Sequence, residues 1–381
     1  MDVSSILANY NPNDLTIASL GGHSALDVCH GAKKHGFKTL VVAKKGREKT
    51  YNQYYKSRAG VGPLGDRGCI DDVILVDEFS DVLNPDIQEE LRRRNTIFIH
   101  NRYFWVYFDD FSKVEQDFNV PIYGTREMLK LEERDIEYNQ YWILKEAGIR
   151  IPKIFASPDE IDRLTIIKVN EQHRSYERAF FFASSPRDFD QKSKDLIDKG
   201  TISKEGLDKA IIEEYVLGAQ VNFNYFYSIM NGELELMGTD TRRQTNLDGI
   251  LRLPANEQIE VLKYIGSPKI IETGHMVCTT KESIIESAFE AGEKFIKMCD
   301  SDLVPGVGMI GPFALQGAVV AEEGREEIVI FDVSMRVPGS PGTRFTPSSG
   351  YLHGETMSYG ERIALELKQA AQENRLSEIL T

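Results

Sequence analysis

An amide, a carboxylate, a hydroxyl and a guanidinium fall within residues 313–336 in a pattern suited to phosphate chemistry. Phe313-Ala314-Leu315 leads into Gln316, a polar turn follows at Glu322-Glu323-Gly324-Arg325, and Ile328 to Phe331 returns to Asp332, Ser334 and Arg336. Alternate residues of a strand share a face, so these last three point one way. Hard divalent cations take oxygen ligands, commonly one or two carboxylates plus substrate phosphates. Gln316 and Asp332 offer such oxygens to magnesium or manganese, and Arg336 is left for phosphate. On this stretch alone a second reading stays open, an edge hairpin whose polar face is merely solvated.

Other residues point to anions and a nucleotide. The apolar run 15–20 stops at Gly21-Gly22-His23-Ser24, and Ala25, Leu26, Val28, Cys29 and Ala32 then recur with helical spacing. Strand, glycine turn and helix form an anion site beside His23, with Ser24 as the expected helix cap. A structural turn with a surface histidine is the alternative; the spacing is no dinucleotide fingerprint. Lys168 interrupts the apolar run 165–169 and needs a partner, a phosphate oxygen or, on an edge strand, only solvent. The basic turn 172–178 is shaped to fold over an anion. Ala210-Ile211-Ile212 runs into Glu213-Glu214-Tyr215-Val216-Leu217-Gly218, a pattern suited to a purine hinge in which backbone groups read the adenine edge and a carboxylate takes the ribose hydroxyls. Asn222 and Asn224 share a strand face, and Asp240, Arg242, Arg243, Asn246 and Asp248 form a donor-rich segment beyond the hairpin turn Asn231-Gly232.

The elements holding these residues read as α/β, becoming α+β towards the C-terminal part. Strands at 15–20, 39–43, 73–76 and 96–100, with a helix at 85–94, predict a small open sheet whose ligands sit beyond the carboxyl ends of its strands. The last strand opens into His100-Asn101-Arg102-Tyr103-Phe104-Trp105, able to stack on a planar ring or to pack on the next domain. The residues 57–68 read as a glycine-rich loop, and 125–148 as a charged helical segment. Three units follow: 1–124, 125–209 and 210–381.

Composition narrows the class. A chain of 381 residues with 41% apolar content supports more than one core, and no apolar run reaches the ~20 residues of a membrane span. Cys29, Cys69, Cys278 and Cys299 lack CxxC spacing, and Met1-Asp2-Val3-Ser4 opens no signal segment; a cytoplasmic protein without membrane attachment is expected. A net charge of −14 disfavours nucleic-acid backbones.

Taken together the parts resemble the ATP-grasp superfamily: a small Rossmann-like domain, a lysine strand, a basic flap, an acidic hinge, and Gln and Asp on neighbouring strands, where the superfamily's usual ending is Glu-x-Asn-x-Arg. The wording is similar to the PurP family, archaeal ligases that join formate to the amine of AICAR ribonucleotide in purine synthesis. It runs through Glu146-Ala147-Gly148-Ile149-Arg150-Ile151-Pro152, Glu213-Glu214-Tyr215-Val216, Asn246-Leu247-Asp248-Gly249, Gly308-Met309-Ile310-Gly311-Pro312-Phe313 up to Gln316, and Ser358 through Arg362-Ile363-Ala364.

The resemblance implies that Gly22, His23, Tyr103 and Asn246 contact AICAR ribonucleotide, that Lys168 and Glu213 to Val216 hold ATP, that Arg336 and Lys168 serve catalysis, and that Gln316 and Asp332 bind the metal. It also implies a homo-oligomer. Three departures accompany it. The flap 172–178 has no glycine, so His173, Arg174 and Arg178 are expected to meet the phosphates with side chains. Arg102-Tyr103 stands where relatives carry Gly-Ser, and Asp332 where they carry glutamate. A paralogue with another acid or amine, or a non-catalytic nucleotide-binding protein, remains the alternative.

Overall fold

The computed structural model describes residues 3–60, 65–108, 110–133, 136–169, 180–265, 271–322 and 324–381. Five parallel strands form the first sheet: β1 (Thr16–Leu20), β2 (Lys38–Lys44), β3 (Asp72–Val76), β4 (Thr96–Ile99) and β5 (Ile122–Tyr123), in the order β3-β2-β1-β4-β5. Strand β1 is buried along its whole length, as expected for a parallel strand covered on both faces. A four-stranded sheet follows, built from β6 (Ile154–Phe155), β7 (Thr165–Lys168), β8 (Phe180–Ala183) and β9 (Ile211–Glu214) in the order β6-β9-β7-β8. The third sheet is antiparallel: β10 (Ala219–Ser228), β11 (Glu233–Gln244), β12 (Glu272–Cys278), β13 (Gly311–Glu322) and β14 (Arg325–Ser334), ordered β12-β11-β10-β13-β14.

Alternation along these long strands divides the third sheet into an oily and a polar face. Val221, Phe223 and Tyr225 of β10 and Phe313 and Leu315 of β13 enter a core with Ala288 and Phe295 of the helix Glu282–Cys299. Asn222, Asn224 and Gln316 consequently face the other way. A bulge corrects the phase of β14. Gln316 pairs with Asp332 but Gly317 pairs with Ile330, leaving Phe331 as the extra residue. Ile330 and Val333 can therefore both enter the core while Asp332 and Ser334 face the polar side.

Residues 125–148 are not one helical segment. A 3-10 turn at Arg126–Glu132 precedes a separate helix at Gln140–Glu146. Two anchors explain the break: the buried Arg126 guanidinium donates to the carbonyls of Val114, Phe118 and Val120, and the Asn139 side chain accepts from the amides of Tyr141 and Trp142, starting a new helix.

The last long helix, Tyr359–Gln372, packs on the first sheet's helix Ala25–Lys34. Gly31 and Gly360 meet so closely that a Cβ on Gly31 would lie 2.0 Å from the Gly360 carbonyl carbon. Tyr359, Ile363 and Leu367 share a core with Ile17, Val28 and Ile97. Pro338 and Gly339 lie against the turn that follows β1, in contact with Ser24 and His23. Among the described residues no helix is long and apolar enough to cross a membrane.

Candidate active site

The polar face of the third sheet carries one continuous rung. Asp332, Gln316, Asn222 and Asp240 are successive register partners across β14, β13, β10 and β11. Asp240 is fully buried: its Oδ1 accepts from Asn222 at 2.8 Å and its Oδ2 from Asn224 and Ser340, both at 2.6 Å. The Gln316 amide donates to Ser334 Oγ at 2.8 Å, whereas its carbonyl oxygen is buried with no hydrogen-bond partner among the described residues. Buried polar atoms are rarely left this way without a ligand to meet them.

The solvated-hairpin reading fails, because Asp332, Ser334 and Arg336 are all buried although β14 is an edge strand. The edge is covered by a set of hydrogen bonds that act as a substitute strand. The Ile330 amide donates to Arg150 O at 2.9 Å, Val333 to Gln140 Oε1 at 2.7 Å and Met335 to Glu132 Oε1 at 2.6 Å. The Tyr141 hydroxyl lies 2.9 Å from the bulge carbonyl of Phe331.

Tyr141 also links this rung to the middle sheet. Its hydroxyl is 2.6 Å from Glu213 Oε2 and accepts from Lys168 Nζ at 3.1 Å, while Lys168 pairs directly with Glu213. Lys168 lies on an interior strand, β7, so the edge-lysine reading also fails. The Glu213 carboxylate faces Lys168, whereas Glu214 accepts from the Lys153 amide at 3.2 Å. Tyr215 donates its amide to Leu164 O and packs edge-on to Phe182 at 4.9 Å; Val216 follows it, half-buried.

A third group surrounds His23. Its Nε2 is 3.4 Å from Glu272 Oε1, its Nδ1 is buried without a hydrogen-bond partner among the described residues, and its ring packs against Gly339. Burial lowers the His23 pKa and Arg336 adds to this, against the opposing hydrogen bond to Glu272. Ser24 does not cap the helix as expected. Held at φ 69°, it turns its hydroxyl away to donate to Pro338 O at 2.8 Å, which binds the glycine turn to the strap 336–346 instead. Tyr103 lies on Gly22 so tightly that a Cβ there would be 2.0 Å from its ring.

Glu272 is the hub of this group. It meets His23, His275 Nε2 at 3.1 Å and Arg242 Nε at 3.5 Å, and although burial acts against ionisation, hydrogen bonds from the two histidines and the charges of Arg242 and His275 hold its carboxyl far below the usual range. Burial alone would lower the His275 pKa, but hydrogen bonds to Asp240 and Glu272 override it and push the value up to about 9. Arg242 Nη2 reaches Asp332 Oδ2 at 3.3 Å. Arg336 lies 3.6 Å from Glu132, and its Nε has no hydrogen-bond partner among the described residues. Its charge, added to the effect of burial, helps to bring the His100 pKa down to about 3.

Gln316, Asp332, Arg336, His23 and the Gly22–Tyr103 contact thus converge on one polar chamber, with Lys168 and Glu213 joined to it through Tyr141. Asn246 stands exposed on the short helix Thr245–Ile250 after β11, and Arg174 and Arg178 lie outside the described residues. Sequence reading missed Glu132, Gln140, Tyr141, Glu272 and His275 as site residues. The Glu272/His275 pair was a visible signal; the others look like ordinary helix and turn residues until β14 is seen to need them.

A metal at the rung fits these residues. Among the described residues no three His, Cys, Asp or Glu side chains are grouped to hold one alone. The unpartnered Gln316 oxygen beside Asp332 gives an oxygen pair of the kind that phosphate oxygens complete.

The order of the sheets is that of an ATP-grasp fold. Among solved structures, an ADP complex of N5-carboxyaminoimidazole ribonucleotide synthetase is similar with a TM-score of 0.58 at 13% identity, covering 94% of this chain and 78% of that one. The IMP biosynthesis protein PurP from Thermococcus kodakaraensis is similar with a TM-score of 0.68 at 24% identity, covering 96% of this chain and 100% of that one. Residues 188–381 match a family described as "Domain of unknown function (DUF1297)", and 17–155 one described as "Protein of unknown function (DUF1246)". Over 384 residues the chain is 38% identical to 5-formaminoimidazole-4-carboxamide-1-(beta)-D-ribofuranosyl 5'-monophosphate synthetase of Methanothermobacter thermautotrophicus, covering 100% of this chain and 98% of that protein. The chain belongs to this synthetase family, the PurP family.

Proposed function

We propose that this chain formylates the amine of AICAR ribonucleotide, using ATP and formate and releasing ADP and phosphate. The observation that carries the reading is the full-length identity of 38% to a synthetase named for that formylated product. A formate oxygen attacks the γ-phosphorus and ADP leaves, giving formyl phosphate. The amine nitrogen then bonds to the formyl carbon, the carbon–oxygen bond to phosphate breaks, and the amine gives up a proton.

Such transfers depend on position and on offsetting charge rather than on a covalent nucleophile. In this reading Lys168, Glu213, Glu214, Tyr215 and Val216 hold ATP, with Arg174 and Arg178 closing on its phosphates. Gly22, His23, Tyr103 and Asn246 take AICAR ribonucleotide, and Arg336 meets the transferring phosphoryl group. Gln316 and Asp332 would hold magnesium or manganese, whose role is to neutralise phosphate charge. The chain then divides into a Rossmann-like unit at 1–124, a small ATP-grasp unit at 125–209 and a large one at 210–381. It acts as a cytoplasmic homo-oligomer on small molecules, without nucleic acid or membrane as partner.

The test is ADP release from ATP, magnesium and AICAR ribonucleotide, with and without formate, with the product identified by mass. Release that requires formate and yields the formylated nucleotide is expected. Release unaffected by formate, or binding of ATP without release, would replace this reading with another acid or with a non-catalytic role.

A further inference from the structure

We propose that Arg242 is a resident counter-ion of the metal site: its guanidinium holds Asp332 when no metal is bound, and metal binding hands it over to a phosphoryl anion in the same chamber. The inference rests on the reading above that Gln316 and Asp332 take a divalent cation.

Three observations carry it. First, Arg242 occupies the carboxylate the metal needs: Nη2 is 3.3 Å from Asp332 Oδ2, and Asp332 is the register partner of Gln316, whose carbonyl oxygen is unpartnered among the described residues. A divalent ion there would repel a guanidinium on the same oxygen, so the two cations exclude one another.

Second, Arg242 is held loosely. Its contacts with Asp332 and Glu272, at 3.3 and 3.5 Å, are longer than the 2.7–2.9 Å of a strong charge-assisted hydrogen bond. Its side chain remains 28% exposed. A permanent structural arginine looks different here: Arg362 is 4% exposed and sits 2.6 Å from its glutamate.

Third, the guanidinium leaves no stranded charge behind and has one favourable destination. Glu272 keeps His23 and His275 as partners after Arg242 departs. The neighbouring Arg336 and Arg102 favour an anion beside the metal position, and a guanidinium fork matches phosphate oxygens. Arg242 would thus stand in for the metal at Asp332 until nucleotide and metal arrive together.

The test is direct binding of Mn2+, followed through the electron paramagnetic resonance signal of the free ion, in wild type, Arg242→Met, Arg242→Lys and Asp332→Asn. Without nucleotide, Arg242→Met should bind Mn2+ roughly tenfold more tightly than wild type, as expected for loss of one charged competitor. With Mn2+ saturating, the same variant should bind a non-hydrolysable ATP analogue more weakly. This crossing of signs is one a merely structural role would not produce. Arg242→Lys, a smaller change to the fold, should shift Mn2+ affinity the same way by less. Unchanged or weaker Mn2+ binding in both Arg242 variants, with binding lost in Asp332→Asn, would overturn the counter-ion role and leave the metal site standing. Mn2+ binding unaffected by Asp332→Asn would overturn the metal site, and this inference with it.

Discussion

The antiparallel sheet carries two buried charged networks, one around Arg362 and one around the rung of Asp332 and Gln316. Arg362 donates to Glu235 at 2.8 and 2.6 Å and to Glu366 at 2.9 Å, Glu366 accepts from Ser228 and from the Met230 amide, and the guanidinium lies 4.3 Å over the Phe226 ring. None of those side-chain atoms is left without a partner. Around the rung, Gln316 Oε1, Arg336 Nε and His23 Nδ1 are buried without hydrogen-bond partners among the described residues. Equal burial thus has two meanings: a closed network joins the last helix to the sheet, and an open one is completed only by what binds there.

The largest effect should come from the open network. Asp332→Asn should lower ADP release by roughly 10²–10³-fold in steady-state assays, the scale on which loss of one preorganised electrostatic group acts. Its thermal midpoint should stay close to that of wild type, since the network was never closed. Arg362→Met should do the reverse. It strands Glu235 and Glu366, costing about 3–5 kcal/mol in urea unfolding, while turnover per folded molecule holds; a large loss of turnover at full stability would abolish the distinction between the networks.

His275 tests the border between them, since it holds Asp240 on one side and Glu272 on the other. Its folded pKa is raised from 6.5 to about 9, so its contribution to stability is complete below pH 6.5 and is lost as pH rises through 9. Wild type should therefore lose stability between those values, and His275→Gln should show a flatter profile in denaturant melts at stepped pH. The smallest effect is expected for Tyr141→Phe, which removes one hydroxyl from the Lys168–Glu213 pair and the Phe331 carbonyl. About 1 kcal/mol, read as a several-fold rise in KM for ATP, is the expected scale.

Much of this was legible in the chain. Runs 15–20, 39–43, 73–76 and 96–100 coincide closely with β1 to β4; β1, β2 and β4 are largely buried on both faces and so read as unbroken apolar runs, whereas β3, at the sheet edge, is mostly half-buried. Asn222 and Asn224 were placed on one face by alternation alone, and both meet Asp240. Asp332, Ser334 and Arg336 stood out because polar groups at the end of a buried run need a reason. The strand β12, with Glu272 and His275, escaped notice: its residues are exposed or half-buried, so no apolar period marks it. The break in 125–148 was invisible too, since Arg126 also donates to Thr381 at the far end of the chain and Glu132 and Gln140 bond to amides about two hundred residues away.

What the sequence by itself determined was the set of elements and the chemical character of the chamber, because periodicity and residue type are local properties. Which polar atoms ended up partnered was decided only by the tertiary structure. The Ser24–Pro338 hydrogen bond holds the strap against the His23 turn, and Glu132 and Gln140 complete the free edge of β14; such pairings depend on distances between segments far apart in the chain. The closed Arg362 network and the open Gln316 rung use the same residue types, and only their packing makes one a joint and the other a site.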